Sequence, residues 1–204
     1  MSISPNKSNT NAHQAANKAM DDECCPQFDP SSYSDDGNGI GNPYKLITWN
    51  EKPFVKDGTW CFYYIPLAFG RAMTRALKKI TDDTGAELPR NELMVLSDCK
   101  SPWYSNIFVS VAKGEVEGAE VEKISGVFMA KAFEGDYSNI GHRVKEMKEL
   151  VKETFLDRKG NEEKKMEGAA VDVDDLKLYF YYPTCPKCAK EYGRNYVVIM
   201  AKIS

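Results

Sequence analysis

Hydrophobic and polar positions predict a fixed order of secondary-structure elements from Trp60 onward. Trp60–Ile65 is an apolar, aromatic run that predicts a strand. A helix from about Ala68 to Thr84 follows, because apolar residues recur there at helical spacing. Those residues are Phe69, Met73, Ala76, Leu77 and Ile80. Short apolar or alternating runs then predict strands at Leu93–Leu96 and Tyr104–Ala112.

The same order recurs in the second half of the chain. Ile124–Phe133 predicts a strand, and an apolar stripe over Ile140–Phe155 predicts a second helix. Two more strands are predicted at Leu176–Tyr182 and Asn195–Ile203. Each strand-helix-strand-strand unit is too small to bury its own helix stripe. We therefore expect an α+β fold in which two pseudo-repeated modules form one mainly antiparallel sheet with both helices on one face.

Composition changes along the chain predict three regions. Residues 1–23 have no hydrophobic periodicity, which predicts a disordered tail. Residues 24–58 combine prolines with aromatic residues, which favours an extended arm that docks its rings on the domain. The domain itself is predicted over 59–204, with a first module at 59–118 and a second at 119–204.

Three segments between the predicted elements have loop composition. Asp98–Pro102 links two strands of the first module, and a charged insertion covers Asp157–Asp174 in the second. Pro183–Arg194 joins the last two strands and carries two cysteines. We expect all three segments to lack regular structure.

Charge and hydropathy exclude several classes of partner. The 27 basic residues among 204 are balanced by 30 acidic ones, so no positive surplus is available to neutralise phosphates. This argues against a nucleic-acid partner. The longest apolar stretches fall short of the roughly 18 residues that span a bilayer, so no membrane segment is predicted. The N-terminal residues lack the apolar core of a secretory signal, and we therefore expect a cytoplasmic protein.

Two segments of the second repeat resemble the GyrI-like small-molecule-binding family. Gly126–Tyr137 is similar to that family's strand and the turn into its helix, and Leu178–Pro183 is similar to its next strand. Asp136 stands where the family often has proline. The resemblance implies tandem strand-helix-strand-strand modules with a ligand groove between them.

Three further motifs resemble a bacterial branch of that family described as hydrolases. They are CCPQFDP at 24–30, Ser97-Asp98 with Ser101-Pro102-Trp103, and CPKCAKEYGRNY at 185–196. The resemblance covers roughly residues 24–204 and implies a hydrolase. No Gly-x-Ser-x-Gly elbow, phosphate loop or His-Glu-x-x-His motif is present, so standard serine-hydrolase, nucleotide and metalloprotease mechanisms lack local support.

Aromatic residues are the candidate ligand contacts in the implied groove. Aromatic rings with a hydroxyl or indole N–H can both stack on a flat molecule and orient it. The predicted ligand-binding residues are Tyr64, Trp103, Tyr179 and Tyr181. Strand alternation places Tyr179 and Tyr181 on one side of their strand. The alternative for each ring is packing beneath the arm.

Glu134 and Tyr137 are the predicted catalytic residues. Glu134 ends an apolar strand just before a glycine turn, where partial desolvation would make it a better general base or a site for a cationic ligand. Tyr137 would position the electrophile. The alternative is an exposed turn carboxylate. Drug-sensing relatives also carry an acid on the last strand, and its absence here argues against a cation sensor.

The six cysteines suggest metal chemistry more than disulfides, because the chain is long enough to fold without them. Cys185 and Cys188 form a CPKC motif that resembles half of a zinc site, which Cys24 and Cys25 could complete. Too few residues follow Cys188 to predict a thioredoxin-type helix. Redox chemistry and inert packed thiols remain the alternatives. No cofactor is required, and a structural zinc is the one the motif suggests.

Three functions follow from these patterns. The first is a GyrI-like hydrolase acting on a hydrophobic or aromatic small molecule in the groove between the modules. The second is a non-catalytic protein that sequesters or senses such a molecule. The third is a protein-inhibitor module. The expected ligand in the first two is a small molecule, and an inhibitor module would instead dock on a larger enzyme.

Overall fold

The described part of the chain folds into a closed β-barrel with three α-helices. The computed structural model describes residues 25–34, 43–62, 65–155, 173 and 175–204. The strands are β1 (Lys45–Phe62), β2 (Ile65–Pro66), β3 (Val95–Ser101), β4 (Tyr104–Ser110), β5 (Glu120–Glu134), β6 (Leu178–Tyr181) and β7 (Tyr196–Lys202). The helices are α1 (Phe69–Asp82), α2 (Ile140–Phe155) and α3 (Pro186–Tyr192). Apart from the short β2, the strands follow the order β1-β4-β3-β6-β7-β5 and return to β1, all antiparallel.

The long strand β1 closes the barrel. Its first half pairs with β5, from Lys45 opposite Ala130, and its second half pairs with β4. The register with β5 shifts between Trp49 and Lys52, which adds one residue to β1 and lets it bend. Glu51 lies in this bulge with φ of 50°, and its N–H donates to Ser125 Oγ. A bent strand can therefore pair with both neighbours and leave no open edge.

The expected open sheet with two helices on one face is wrong. The sheet closes on itself, and the helices pack on different parts of its outer wall. In α1, the buried residues Ala72, Ala76 and Ile80 pack against outward-facing side chains of β1 and β4. In α2, Met147 and Val151 pack against β5, β6 and β7.

A separate core fills the inside of the barrel. Its buried residues are Trp49, Phe54, Leu96, Phe108, Ile124, Phe128, Ala130, Tyr179, Val198 and Met200. Alternation along each strand sends these side chains inward and their neighbours toward the helices. Strands buried on both faces explain why hydrophobic runs such as those in β5 and β7 are nearly continuous.

The N-terminal arm covers one end of the barrel, which we call the arm end. Phe28 packs against Tyr196 with ring centroids 5.2 Å apart, and Tyr33 packs against Tyr181 at 6.4 Å. Rings of the arm therefore pack on the barrel. Residues from Lys45 onward belong to β1.

Several local expectations can be compared with the structure. The two long helices are confirmed within a few residues. Asp98 lies inside β3 and α3 occupies residues 186–192, so the loops predicted there are wrong. The tail at 1–23 and the charged insertion lie outside the described residues, apart from 173. Across the described ranges, no helix combines the length and apolar character needed to cross a membrane.

Candidate active site and metal centre

Three cysteines from distant parts of the sequence meet at the arm end. The Sγ atoms of Cys25, Cys185 and Cys188 all lie within 4.8 Å of one another. Cys25 and Cys185 are half-buried, and Cys188 is buried. The Cys185 N–H donates to Cys25 Sγ at 3.3 Å, and the Tyr192 hydroxyl donates to the Cys25 carbonyl at 2.6 Å. The arm is therefore fixed to α3 through backbone as well as side-chain atoms.

The geometry of α3 brings two of these sulfurs together. Cys185 is the N-cap residue, Pro186 starts the helix, and Gly193 ends it in the left-handed conformation at φ of 68°. The expectation that the segment is too short for a helix is wrong, since proline and glycine end signals allow seven residues to form one. One turn of helix places Cys188 beside Cys185.

The three sulfurs can hold a metal ion. At a Zn–S distance of about 2.3 Å, thiolates around one tetrahedral ion lie roughly 3.8 Å apart, and all three Sγ atoms lie within 4.8 Å of one another. The prediction that the arm brings at least three sulfurs together is confirmed for Cys25, Cys185 and Cys188. Cys24 lies outside the described residues. Cys61 is buried and lies outside this cluster.

The predicted catalytic pair lies at the arm end of β5. Glu134 is exposed, and its main-chain carbonyl accepts a hydrogen bond from Arg143 Nη2 at 2.9 Å. The desolvation expected for its carboxylate is therefore absent. Tyr137 begins a short 3-10 turn, and its side chain lies outside what the structure describes. Catalysis by these two residues stays a prediction.

The four predicted ligand-binding residues occupy different environments. Tyr179 is 1% exposed and belongs to the barrel core, where it packs against Phe108 and Phe128. Tyr181 is half-buried beneath the arm. Trp103 is 52% exposed at the opposite end of the barrel, and Tyr64 lies outside the described residues. Of the described three, Trp103 is the one at the surface.

A polar groove opens at that opposite end, which we call the groove end. It encloses about 340 Å³. Its lining residues are Lys56, Asp57, Gly58, Arg75, Lys79, Tyr104, Asn106 and Glu120. They come from β1 and β4, from α1, and from the first residue of β5. Glu120 is the one lining residue from the second repeat, so the groove lies mainly along β1, β4 and α1.

A buried carboxylate supports the floor of the groove. Asp98 is 3% exposed and faces Asn106 across β3 and β4. Asn106 Nδ2 donates to both carboxylate oxygens at 2.9 Å, and its N–H donates to Oδ1 at 3.0 Å. The two oxygens of one carboxylate lie within a narrow angle seen from Nδ2, so they share one amide hydrogen. Asn106 can therefore offer a ligand its carbonyl oxygen Oδ1 and its second amide hydrogen.

The ring of Tyr104, on β4, packs over Gly58 of β1. A Cβ atom on Gly58 would come within 1.8 Å of the Tyr104 hydroxyl, so only glycine leaves room for the ring. The pKa of Arg75 is raised, first by its hydrogen bonds to Asp57 and to a smaller extent by Tyr104. The hydroxyl and the guanidinium are therefore neighbours in the groove.

Ion pairs fix two walls of the groove. Lys56 Nζ lies 2.9 Å from Glu120 Oε1 and 3.1 Å from Glu122 Oε2. Hydrogen bonds to these carboxylates, led by Glu120, raise the pKa of Lys56 to about 12. Arg75 binds Asp57 through Nε at 3.1 Å and Nη2 at 2.7 Å, which ties α1 to β1.

Exposed aromatic residues continue from the groove onto the surface. Trp60 is 71% exposed and meets Tyr104 edge-to-face, with ring centroids 5.8 Å apart. Phe62 and Trp103 form a second edge-to-face pair at 6.2 Å. We call these four rings the aromatic rim. Exposed rings grouped beside a groove are typical of a binding surface.

Sequence reasoning did not find the residues that build this groove. Asp98 lies in a stretch of loop composition, and its partner Asn106 comes from the next strand, so neither pattern nor spacing marks them. Arg75 and Lys79 occupy the polar side of a helix, where cations are usually solvated. The one available signal was Ser97-Asp98 next to Ser101-Pro102-Trp103, which the resemblance had already noted.

Comparison with known proteins supplies the family. None of the curated proteins matches the chain. The sequence model of a family described as "Bacterial hydrolase" matches residues 15–203, which includes the arm, the barrel and all three helices. This match supports the hydrolase resemblance, and it does not address the GyrI-like relationship. Over most of its length, the chain belongs to the bacterial hydrolase family.

Proposed function

We propose that the protein hydrolyses a small organic molecule bound in the polar groove along β1, β4 and α1. The observation that carries this proposal is the groove floor, where Asn106 is held by the buried carboxylate of Asp98. A fixed polar side chain at the base of a concave site can orient a water or a substrate without reorganising. Family membership makes hydrolysis the reaction to consider.

Glu120 is the proposed general base. Its side chain is 67% exposed, so water reaches it, and Lys56 occupies only one of its two carboxylate oxygens. The other groove carboxylate, Asp57, is held by two hydrogen bonds from Arg75 and is 16% exposed. Glu120 is therefore the better placed of the two to take a proton from water.

Asn106, Tyr104 and Arg75 are the proposed partners of the reacting groups. Asn106 Oδ1 accepts a hydrogen bond from the attacking water. Tyr104 and Arg75 donate to the substrate oxygen that becomes negative as the water adds. Asp98 does not reach the substrate in this scheme and acts as a positioning residue for Asn106.

The proposed reaction is the hydrolysis of an ester or a related acyl compound. Water oxygen bonds to the carbonyl carbon while Glu120 takes one water proton, and the carbonyl oxygen becomes an oxyanion. The oxyanion then re-forms the carbonyl, the bond to the leaving group breaks, and Glu120 returns the proton to that group. Carboxylic acid and alcohol are the products, and no oxidant or reductant is consumed.

The test compares three glutamate variants on a panel of p-nitrophenyl esters and lactones. We expect Glu120→Gln to lower the rate by about a hundredfold or more, the usual scale for losing positioned proton transfer. Glu115→Gln is the matched control, because Glu115 is exposed and outside the groove. Glu134→Gln represents the catalytic pair predicted from sequence. A large loss in Glu134→Gln with no loss in Glu120→Gln would move the active site to the arm end.

A non-catalytic binding protein is the alternative outcome. If the wild-type protein hydrolyses no member of the panel but binds aromatic compounds, the groove is a binding site and the hydrolase proposal fails. The GyrI-like relationship is compatible with either result. It stays a proposal, supported by the twofold order of strand, helix, strand, strand along the chain.

We also propose that Cys25, Cys185 and Cys188 bind a structural zinc ion. Their spacing, and the burial of Cys188, suit a site that fixes the arm over the barrel end. Cys24, next in sequence to Cys25, is the proposed fourth ligand. Four thiolates leave no position for water, so this site would stabilise the fold rather than catalyse. A reducing cytoplasm, expected from the sequence, would keep the thiols available.

Metal analysis of protein purified without added zinc tests this site. We expect stoichiometric zinc in the wild-type protein and a large loss in Cys188→Ser. Cys61→Ala is the matched control, because Cys61 is also buried but lies outside the cluster. Absence of metal from the wild-type protein would reject the site and leave three packed or redox-active thiols.

A further inference from the structure

We infer that the groove selects an aromatic carboxylate, with the carboxylate at Lys79 and the aromatic ring on the aromatic rim. This inference rests on the proposed function, because it names the substrate class of the same site. Neither the family description nor the expected hydrophobic substrate implies a negative charge. Three observations carry it: the ionic state of the groove, its continuity with the rim, and its size.

Lys79 is the cation that the groove leaves for a ligand. The groove is lined by three cations and two carboxylates. Lys56 is paired with Glu120 and Arg75 with Asp57, whereas Lys79 has no carboxylate within ion-pair distance in the described part of the chain. Burial acts to raise the pKa of Asp57. The hydrogen bond from Arg75, together with the charges of Arg75 and Lys79, outweighs burial and lowers that pKa. A ligand anion would supply the carboxylate partner that Lys79 lacks among these residues.

A cationic ligand fits the same groove poorly. Both lining carboxylates already accept hydrogen bonds from protein cations, so a ligand cation would have to displace Lys56 or Arg75. It would also add to the positive charge of three neighbouring side chains. Like charges placed together in a binding site oppose binding, and opposite charges favour it.

The aromatic rim begins where the groove ends. Tyr104 belongs to both, and its ring packs edge-to-face on Trp60. Trp60 is 71% exposed, so the face of its indole is accessible to a ligand ring. Offset or edge-to-face stacking against such a ring favours an aromatic ligand over an aliphatic one of equal size.

The size of the groove permits this arrangement of the ligand. About 340 Å³ is at the lower end of small-molecule pockets, which is room for a small aromatic acid. Because Tyr104 belongs to both the groove and the aromatic rim, the ligand ring can extend from the groove onto the rim. Lys79 is on α1 and Trp60 is on β1, so the two contacts come from elements that the Arg75–Asp57 pair holds together.

Calorimetric titration with 2-naphthoate and 2-naphthamide tests the inference. The two probes share shape and ring, and only the first is charged. We expect the wild-type protein to bind 2-naphthoate more tightly. Lys79→Ala should lower its affinity by about fivefold, the scale of one partly exposed ion pair, and should leave 2-naphthamide unchanged. Lys78→Ala is the matched control, because Lys78 is exposed on the same helix and outside the groove.

Trp60→Ala tests the aromatic contact. It should weaken both probes by about tenfold, because stacking does not depend on the ligand charge. Equal affinity for the two probes, equal effects of Lys79→Ala and Lys78→Ala, or no effect of Trp60→Ala would each overturn the inference.

Two further measurements separate this inference from the proposed function. Glu120→Gln should still bind 2-naphthoate, because Glu120 is assigned to proton transfer and not to anion binding. Binding that depends on Lys79, without hydrolysis of any ester, supports the inference and contradicts the proposed function. Hydrolysis that depends on Glu120, with no preference for anionic over neutral aryl esters, supports the proposed function and contradicts the inference.

Discussion

Removing the carboxylate beneath the groove is expected to destabilise the whole barrel. Asp98 accepts three hydrogen bonds from Asn106, two from the side-chain amide and one from the main chain. In Asp98→Ala two N–H groups of Asn106, one of the side chain and one of the main chain, lose their acceptor in a site where Asn106 is 6% exposed. Groups left unsatisfied in this way are costly because the protein cannot replace the lost partner.

The magnitude follows from the number of donors and from two offsets. Each orphaned buried donor costs about 1–3 kcal/mol. Water from the groove can reach part of the Asn106 amide, and deleting a buried charge recovers some of its desolvation penalty. We therefore expect a loss of about 3 kcal/mol in the free energy of unfolding for Asp98→Ala. Asp98→Asn keeps one acceptor oxygen and should lose less.

Urea denaturation followed by circular dichroism measures this loss. The midpoint concentration should fall while the slope stays unchanged, since the change alters stability and not the surface exposed on unfolding. Asp175→Ala is the control, because Asp175 is exposed, and it should change stability by less than about 0.5 kcal/mol. If Asp98→Ala is no more destabilising than Asp175→Ala, the pair does not support the groove floor.

Two other predictions concern the groove and the buried phenols. In Gly58→Ala the new Cβ would overlap the Tyr104 hydroxyl, so we expect the ring to turn outward. Calorimetry should then show at least about fivefold weaker 2-naphthoate binding. The control is Gly70→Ala, which should leave the affinity unchanged because a Cβ on Gly70 meets nothing within 4 Å. Burial raises the pKa values of Tyr33 and Tyr179 above the usual 10.0. Because the pKa of each buried phenol is higher in the folded than in the unfolded protein, its contribution to stability is complete below pH 10.0 and is lost as the pH rises above that value. The free energy of unfolding should therefore fall above pH 10.0. Phenolate absorbance should show ionisation of these two residues only on unfolding. Ionisation of both at pH 10.0 in the folded protein would contradict the burial argument.

The helices could be predicted from sequence, but barrel closure could not. The stripes in α1 and α2 have the spacing of amphipathic helices, and spacing of this kind is a local property. Closure depends on β1 pairing with both β4 and β5, and on the bulge near Glu51 that lets it do so. These are long-range pairings, and the arm composition of residues 45–58 concealed the strand they use.

The two candidate sites differ in the same way. The cysteine cluster could be predicted because the CPKC motif is local and thiolates gather around metal ions. The Asp98–Asn106 pair could not be predicted, because it forms only when β3 and β4 place the two residues opposite each other. Glu134 drew attention by its place after an apolar strand, yet that strand end is exposed in the barrel. Burial of a carboxylate depends on the closed fold and not on its neighbours in sequence.

Mapping a bound ligand by NMR tests the central claim that the active site is the groove. Isotope-labelled protein titrated with 2-naphthoate should show its largest amide shifts at Gly58, Tyr104 and Asn106, with little change at Gly135 and Tyr196. Saturable shifts centred on Gly135 and Tyr196, beside Glu134 at the other end of the barrel, would contradict the account.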